Sequence, residues 1–114
     1  MKTKDLIKID GVNCLTQNLD LSSEVKELYI SDLLSWVMGH AKDDNTVLLT
    51  VLNSINVIAV AVLLDFSAVV FCEGVIPTED VINKAIEESI PLFATDKSSS
   101  KLAKAIWEYK SKNE

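Results

Sequence analysis

The sequence has 114 residues, of which 48% are hydrophobic and 25% are charged. This length fits one domain over residues 1–114, and the apolar fraction is enough to bury a core without disulfides or metal, which excludes a wholly disordered chain. The chain is acidic, with 17 Asp and Glu against 11 Lys and no Arg, and this balance argues against nucleic-acid binding, which depends on neutralising phosphates.

The first thirty residues predict short elements. The segment from Lys4 to Ile9 predicts one or two helical turns, which Gly11 ends in a left-handed conformation. Val12 to Thr16 predicts a brief strand, followed by a polar loop. A second strand-like run then contains Val25, Leu28 and Ile30.

A helix and a central strand come next. Ser31 and Asp32 are good N-cap residues, and after them apolar residues recur at helical spacing at Leu33, Leu34, Val37, Met38 and Ala41. The segment from Thr46 to Leu52 is rich in β-branched residues and leucine, and it is apolar on both faces. This pattern is typical of a central parallel strand.

The apolar stretch from Val57 to Leu64 permits either a strand or a helix by periodicity alone. A strand here would give an antiparallel meander. Asn53 as an N-cap, together with Ala59 and Ala61, favours a helix from Asn53 to about Leu64. Such a helix would cross over between two parallel strands.

Strand and helix alternate through the rest of the chain. Ala68 to Cys72 predicts a strand, and Thr78 opens a helix whose inner face holds Val81, Ile82, Ala85 and Ile86. Pro91 to Ala94 predicts a short strand, and Ser98 to about Tyr109 predicts a last helix with Leu102, Ala105, Ile106 and Tyr109 inward. The predicted fold class is α/β, a mostly parallel sheet of about five strands flanked by helices on both faces.

Four segments between Ser31 and Ala94 carry a family resemblance: Ser31–Met38, Asn56–Ala61, Ala68–Gly74, and Pro77–Ile90 leading into Pro91–Phe93. In this order they resemble the DRTGG domain family, whose fold is also similar to the N-terminal domain of HPr kinase/phosphorylase. The resemblance covers nearly the whole chain and so implies a stand-alone copy. It also implies a regulatory role, because related domains are accessory units of inorganic pyrophosphatases and of some phosphotransacetylases.

The motif that names the family is mostly replaced in this sequence. Its Asp-Arg pair falls on Asn53 and Ser54, and its Thr-Gly-Gly triplet falls on Cys72, Glu73 and Gly74, of which only the glycine matches. Asn53 and Ser54 reproduce neither the charges nor the forked hydrogen bonds of an Asp-Arg pair. The resemblance therefore implies a fold without implying a particular ligand.

Polar residues are expected to meet at one edge of the sheet. Ligands of open parallel sheets bind beyond the carboxyl ends of the strands, so we predict a site there for a small metabolite or nucleotide, lined by Ser31, Asp32, Asn53, Ser54, Cys72, Glu73, Gly74 and Thr95. This rim is expected to hold no basic side chain, so its carboxylates would oppose an anion unless a divalent cation intervened. The alternative is that its hydroxyls and amide are only helix caps.

Common catalytic patterns are missing from the sequence. The three glycines are too far apart for a P-loop or a dinucleotide fingerprint, and a single histidine with two isolated cysteines leaves no metal-ligand cluster. We therefore predict no catalytic residue, no cofactor and no metal. The enzymatic alternative is a transferase or hydrolase that uses Cys72 or Asp32 beside His40, whereas a buried, inert Cys72 is the other interpretation of that cysteine.

Trp36 falls off the predicted core face of its helix, by about 130° at 100° per residue, and His40 falls on the same outer side. Exposed tryptophan is favoured at interfaces, which indicates a contact surface at Trp36 and His40. The family resemblance implies that this contact forms a homodimer, because accessory domains of this kind tend to pair. The alternative is a tryptophan lying flat over a neighbouring loop. The predicted function is a non-enzymatic regulatory or interaction domain, with a protein-binding adaptor for a redox or signalling complex as the alternative.

The expected location is the cytoplasm. Cys14 and Cys72 show no metal or redox spacing, and the first residues lack a signal-peptide core. The longest apolar run, Val57 to Leu64, is far shorter than the roughly 20 residues that span a bilayer. We expect reduced thiols, and neither a membrane nor a nucleic acid as a partner.

Overall fold

The computed structural model describes residues 1–114. The chain forms, in order, a 3-10 helix (Thr3–Lys8), β1 (Val12–Cys14), β2 (Glu27–Ile30), α1 (Leu34–His40), β3 (Thr46–Thr50), α2 (Asn56–Leu63), β4 (Ala68–Phe71), α3 (Glu79–Glu87), β5 (Leu92–Thr95) and α4 (Ser99–Asn113). None of these helices combines the length and the apolar character that crossing a membrane requires.

The five strands form one sheet in the order β1-β5-β4-β3-β2. The four strands from β2 to β5 are parallel to one another. β1 pairs with β5 in the antiparallel direction, so that Val12 lies opposite Thr95 and Cys14 opposite Phe93. The predicted α/β fold with a mostly parallel sheet is confirmed.

The sheet is covered on both faces. α1, α2 and α3 pack on one face, over side chains that include Leu48 and Phe71. The 3-10 helix and α4 pack on the other face, over side chains that include Leu49 and Val70. Neighbouring residues of a strand point to opposite faces, and this alternation divides the apolar core into two layers.

The connections between parallel strands all step in one direction, from β2 through β3 and β4 to β5. Because such crossovers are right-handed, α1, α2 and α3 all fall on the same face of the sheet. α4 follows β5 but lies on the opposite face. The chain therefore leaves β4 and β5 toward opposite sides of the sheet.

The ambiguous stretch after β3 is a helix, as predicted, but it begins later than expected. α2 starts at Asn56, and its N-cap, Ile55, makes no side-chain capping hydrogen bond. The predicted cap at Asn53 is wrong, because its Oδ1 accepts the N–H of Thr78 at 3.2 Å. The side-chain oxygen of Asn53 is therefore bonded to the residue before α3 and does not cap α2.

The predicted start and inner face of α1 also need correction. The helix begins at Leu34 with Leu33 as the N-cap, because the carboxylate of Asp32 is occupied by donors from β3 and the residue after it. Val37 and Ala41 are buried as predicted, but Leu33 and Met38 are exposed. α1 lies at the β2 edge of the sheet, where it contacts α2 but has no strand or helix beyond it.

Smaller shifts occur at other boundaries. β2 begins at Glu27, two residues after the buried Val25, and β3 ends at Thr50. β5 runs from Leu92 to Thr95, one residue later than predicted, because Pro91 has no N–H to donate to a ladder. α4 continues beyond Tyr109 to Asn113.

Phe71 is fully buried in the central strand β4. Phe71→Ala is expected to lower the free energy of unfolding by about 3–5 kcal/mol, since it removes buried apolar surface and leaves a cavity. Ile7→Ala, at an exposed position of the 3-10 helix, is the control and is expected to change it by about 0.5 kcal/mol or less. Urea denaturation followed by circular dichroism measures both, and equal losses would contradict this packing.

Candidate functional site

All eight residues predicted for the rim lie where a parallel strand ends. Ser31 and Asp32 follow β2, Asn53 and Ser54 follow β3, the run Cys72–Gly74 follows β4, and Thr95 is the last residue of β5. Because β2 to β5 are parallel, these positions share one edge of the sheet. Their part in binding a ligand stays a prediction.

Asp32 joins the ends of β2 and β3. Its Oδ1 accepts hydrogen bonds from the hydroxyl of Thr50 and from the N–H of Val51, both at 2.9 Å. The same Thr50 oxygen accepts the N–H of Leu52 at 3.1 Å. The carboxylate of Asp32 therefore shapes the turn that follows β3.

Four of the other rim side chains are bonded to nearby backbone. Each accepts one backbone N–H at 3.2 Å, and they are Ser31, Asn53, Ser54 and Thr95. None of them is itself the N-cap residue of an α-helix, although Ser54 accepts the N–H of Asn56, the first residue of α2. These oxygens hold the loops at the rim in place. The capping alternative predicted a structural role for these side chains, but not these hydrogen-bond partners.

The turn after β4 is fastened to the end of β5. Glu73 and Gly74 both have positive φ, 62° and 77°, and their N–H groups donate to the carbonyls of Lys97 at 2.9 Å and Thr95 at 3.0 Å. A Cβ atom at position 74 would lie 3.3 Å from Oδ1 of Asp96. Both the positive φ and this close approach favour glycine, the only residue of the family triplet that the sequence retains.

A cleft of about 480 Å³ opens beside this turn, lined by Glu73, Asp96, Lys97, Ser98 and Lys101. The expectation of a rim without basic side chains is therefore wrong. Lys97 follows Asp96 directly, and Lys101 lies in the first turn of α4, where its N–H donates to the hydroxyl of the N-cap Ser98 at 3.3 Å. The volume falls within the range of about 300–1,000 Å³ that small-molecule sites occupy, but all five lining residues are polar or charged, whereas such sites are mostly apolar.

The position of this cleft follows from the topology. The chain turns toward α3 after β4 and toward α4 after β5, and these helices cover opposite faces. Such a divergence between neighbouring parallel strands opens the crevices in which ligands of open α/β sheets bind. No group of three His, Cys, Asp or Glu side chains lies close enough to hold a metal ion.

Cys72 is fully buried at the start of the turn after β4. Burial raises the pKa of its thiol, and the negative charges of Glu73 and Asp32 raise it further, against an opposing contribution from the Ser99 hydroxyl. A raised pKa keeps the sulfur protonated, and the thiol is a much weaker nucleophile than the thiolate. This environment suits the buried, inert interpretation of Cys72.

Trp36 and His40 stack on the outer side of α1. Their ring centroids are 3.7 Å apart and their planes differ by 9°, while Nδ1 of His40 lies 2.9 Å from the carbonyl oxygen of Trp36. Trp36 is 53% exposed, and its indole ring lies against the histidine ring. His40 forms no hydrogen bond with Cys72 or Asp32, so the arrangement required by the enzymatic alternative is not formed.

No family model matches the chain, and no curated protein matches its sequence. Among solved structures, the chain is similar to the CBS and DRTGG domains of the regulatory region of Clostridium perfringens pyrophosphatase, crystallised with its activator, diadenosine tetraphosphate. The TM-score is 0.68 at 11% sequence identity, and the match covers 90% of this chain but only 44% of that one. At this identity the likeness shows a shared fold, which agrees with the fold that the DRTGG resemblance implied.

Asp32→Ala is expected to lower the free energy of unfolding by about 1–3 kcal/mol, because the buried hydroxyl of Thr50 loses its acceptor. The exposed Asp10 provides the control, and Asp10→Ala is expected to leave stability nearly unchanged. Chemical denaturation of the two variants measures the difference. If Asp32→Ala is no less stable than Asp10→Ala, the carboxylate does not hold the ends of β2 and β3 together.

The two thiols are expected to differ in reactivity. Cys14 is free and exposed, whereas Cys72 is free and buried. The raised pKa of Cys72 keeps its thiolate fraction below that of an ordinary thiol at the same pH. With a disulfide reagent at pH 8, one thiol of the folded chain should react rapidly, and the second should react only after the chain is unfolded in urea. In Cys14→Ser the rapid phase should vanish, and a rapid phase that persists would show that Cys72 is accessible.

Proposed function

We propose that this chain is a non-catalytic regulatory module that binds a small phosphate-bearing metabolite, such as a nucleotide, at the carboxyl edge of its sheet, and that it acts as a homodimer. One observation carries the ligand part of the proposal. Between the ends of β4 and β5, the cleft presents Lys97 and Lys101 together with the carboxylates Glu73 and Asp96.

The mixture of charges in the cleft favours a ligand that has both anionic and hydrogen-bond-donating groups. The ammonium groups of Lys97 and Lys101 provide point charges that attract phosphate oxygens. Glu73 and Asp96 can accept hydrogen bonds from hydroxyl or amino groups, as an acidic residue does from the ribose in dinucleotide sites. A nucleotide offers both kinds of group, whereas inorganic phosphate would use the two lysines and offer no ribose or amino group to the carboxylates.

The similar solved structure gives a reason to test nucleotides first. That regulatory region was crystallised with an activator that is a dinucleotide joined by phosphates. A shared fold does not carry a ligand from one protein to another, and the family motif is mostly replaced in this chain. The cleft residues therefore remain the main support for the proposal.

The absence of catalytic chemistry is proposed from the surroundings of the reactive side chains. Cys72 is buried with a raised pKa, Oδ1 of Asp32 holds two donors, and His40 is bonded within α1. No pair of these three groups is joined by a hydrogen bond, which a nucleophile and its base require.

The homodimer is proposed from the exposed surface of α1. Trp36 is about half exposed and stacks on the exposed His40, and large exposed apolar side chains mark contact surfaces. The same surface also favours a second candidate function, a protein-binding adaptor for a redox or signalling complex. The two functions differ in that only the regulatory module requires a small molecule.

A nucleotide that binds the cleft is expected to stabilise the folded chain by about 2.7 kcal/mol at 100 times its Kd, which raises Tm by roughly 10 °C in a domain of this size. A thermal-shift screen of nucleoside phosphates, dinucleoside polyphosphates and sugar phosphates measures this effect. The double variant Lys97→Ala, Lys101→Ala should lose most of the shift.

Lys104→Ala is the matched control, because Lys104 lies on the same helix with its side chain 80% exposed and pairs only with Glu108. It should keep the full shift. A screen in which no compound raises Tm would remove the ligand part of the proposal and favour the adaptor. A shift that survives in the double variant would move the binding site away from the cleft.

A further inference from the structure

The outer side of α2 is mostly apolar although it faces solvent, and Asn56 in its first turn is the one polar side chain of the helix exposed there. Four residues form this α2 outer stripe, at the spacing of a single helix face: Ile55, Ala59, Val62 and Leu63. Their large members are 44%, 41% and 63% exposed in chain order. They lie opposite the buried side of the helix, which packs into the core through Val57, Ile58 and Ala61.

Charge is distributed unevenly over the four α-helices. Neither α1 nor α2 contains a single Asp, Glu, Lys or Arg, although 25% of the chain is charged. α3 and α4 have ordinary solvated surfaces, on which ion pairs such as Lys84 with Glu88 and Lys104 with Glu108 form. Depletion of charged residues is the compositional mark of the core of a protein interface.

We propose that the α2 outer stripe is the interface between two copies of this chain, related by a two-fold axis that passes beside Ala59. This inference rests on the homodimer of the proposed function and names its contact face. The stripe is self-complementary about Ala59, because Ile55 precedes it by four residues and Leu63 follows it by four.

When two such helices pack antiparallel, Ile55 of one copy lies beside Leu63 of the second copy. The small side chain of Ala59 faces its own counterpart and allows the two helix axes to approach closely. A two-fold interface uses the same patch on both subunits, and the spacing of this stripe meets that requirement.

The size of the patch shows how far the interface extends. An interface of standard size buries about 800 Å² on each partner, and a helix of eight residues is only about 12 Å long. The stripe alone is therefore too small. α1 contacts α2, contains no Asp, Glu, Lys or Arg, and exposes Trp36 on one flank and Met38 on the other. One flank of α1 therefore extends the same apolar surface.

Charge favours a second copy over a membrane as the occupant of this face. Helices that lie on membranes carry Lys or Arg along their polar flank, whereas α2 has none and is followed by Asp65. The formal net charge of the chain is −6, which opposes binding to anionic lipid. Two copies of an acidic protein approach most easily through a face without charge, because like charges placed together across an interface are costly.

The test uses charge complementation at the proposed axis in the full chain. The wild type should be a dimer by sedimentation velocity at tens of micromolar. Ala59→Glu and Ala59→Lys should each raise the dimer dissociation constant by about 100-fold or more, because each places two like charges opposite one another. An equimolar mixture of the two variants should recover the dimer, because the facing charges are then opposite.

Both substitutions introduce good helix formers at an exposed position, and circular dichroism with Tm verifies that they fold. Leu63→Lys, near the end of the stripe, is a second variant that should also weaken the dimer. Trp107→Glu replaces an exposed apolar residue of α4, on the opposite face of the sheet, and should leave the dimer unchanged.

The outcomes separate this inference from the proposed function. A dimer that survives Ala59→Glu overturns the α2 interface and leaves the homodimer standing. Loss of the dimer in both variants without recovery in the mixture overturns the two-fold axis at Ala59. A monomeric wild type, or one that instead floats with phosphatidylcholine–phosphatidylserine vesicles, overturns the interface together with the dimer, while the ligand screen tests the cleft separately.

Discussion

β3 and β4 present apolar side chains to both sides of the sheet, and every residue of both strands is buried. Neither strand is stable unless both faces are covered. Three right-handed crossovers that step in one direction cover only one face, so the opposite face has to be closed by segments that are not crossovers. The 3-10 helix and α4 close it, and the departure of α4 from β5 then opens the cleft at the carboxyl edge.

The fold was predictable where burial alone decides the pattern. A run that is apolar on both faces marks β3 and β4, and their order with the helices fixes the class of sheet. The local roles of polar residues were not predictable in the same way. Asp32 bonds to Thr50, 18 residues away, and Asn53 bonds to Thr78, 25 residues away. Local rules assign both side chains to helix caps, but their hydrogen bonds go to these distant partners instead.

The position of the candidate site at one edge of the sheet was predictable, but the presence of two lysines in it was not. The carboxyl ends of parallel strands coincide at one edge, which places the polar residues there from the sequence alone. Lys101 reaches the same edge only because α4 starts there and runs beneath the sheet, which no strand pattern reveals. The exposed face of α2 could not be predicted either, because the sequence of a helix that is apolar all round does not indicate which side is buried.

The pairing of β1 with β5 has a consequence for how the chain acquires its structure during synthesis. β2, β3 and β4 can pair one after another as they leave the ribosome, because each neighbour in the sheet is also a neighbour in sequence. β1 is the first strand to be made, but it pairs with β5, the last one, so Cys14 cannot lie opposite Phe93 until β5 is made. The face under α1, α2 and α3 thus assembles from contacts near in sequence. The opposite face is covered only after α4 is made. Until then its apolar side chains are exposed to chaperones or to aggregation.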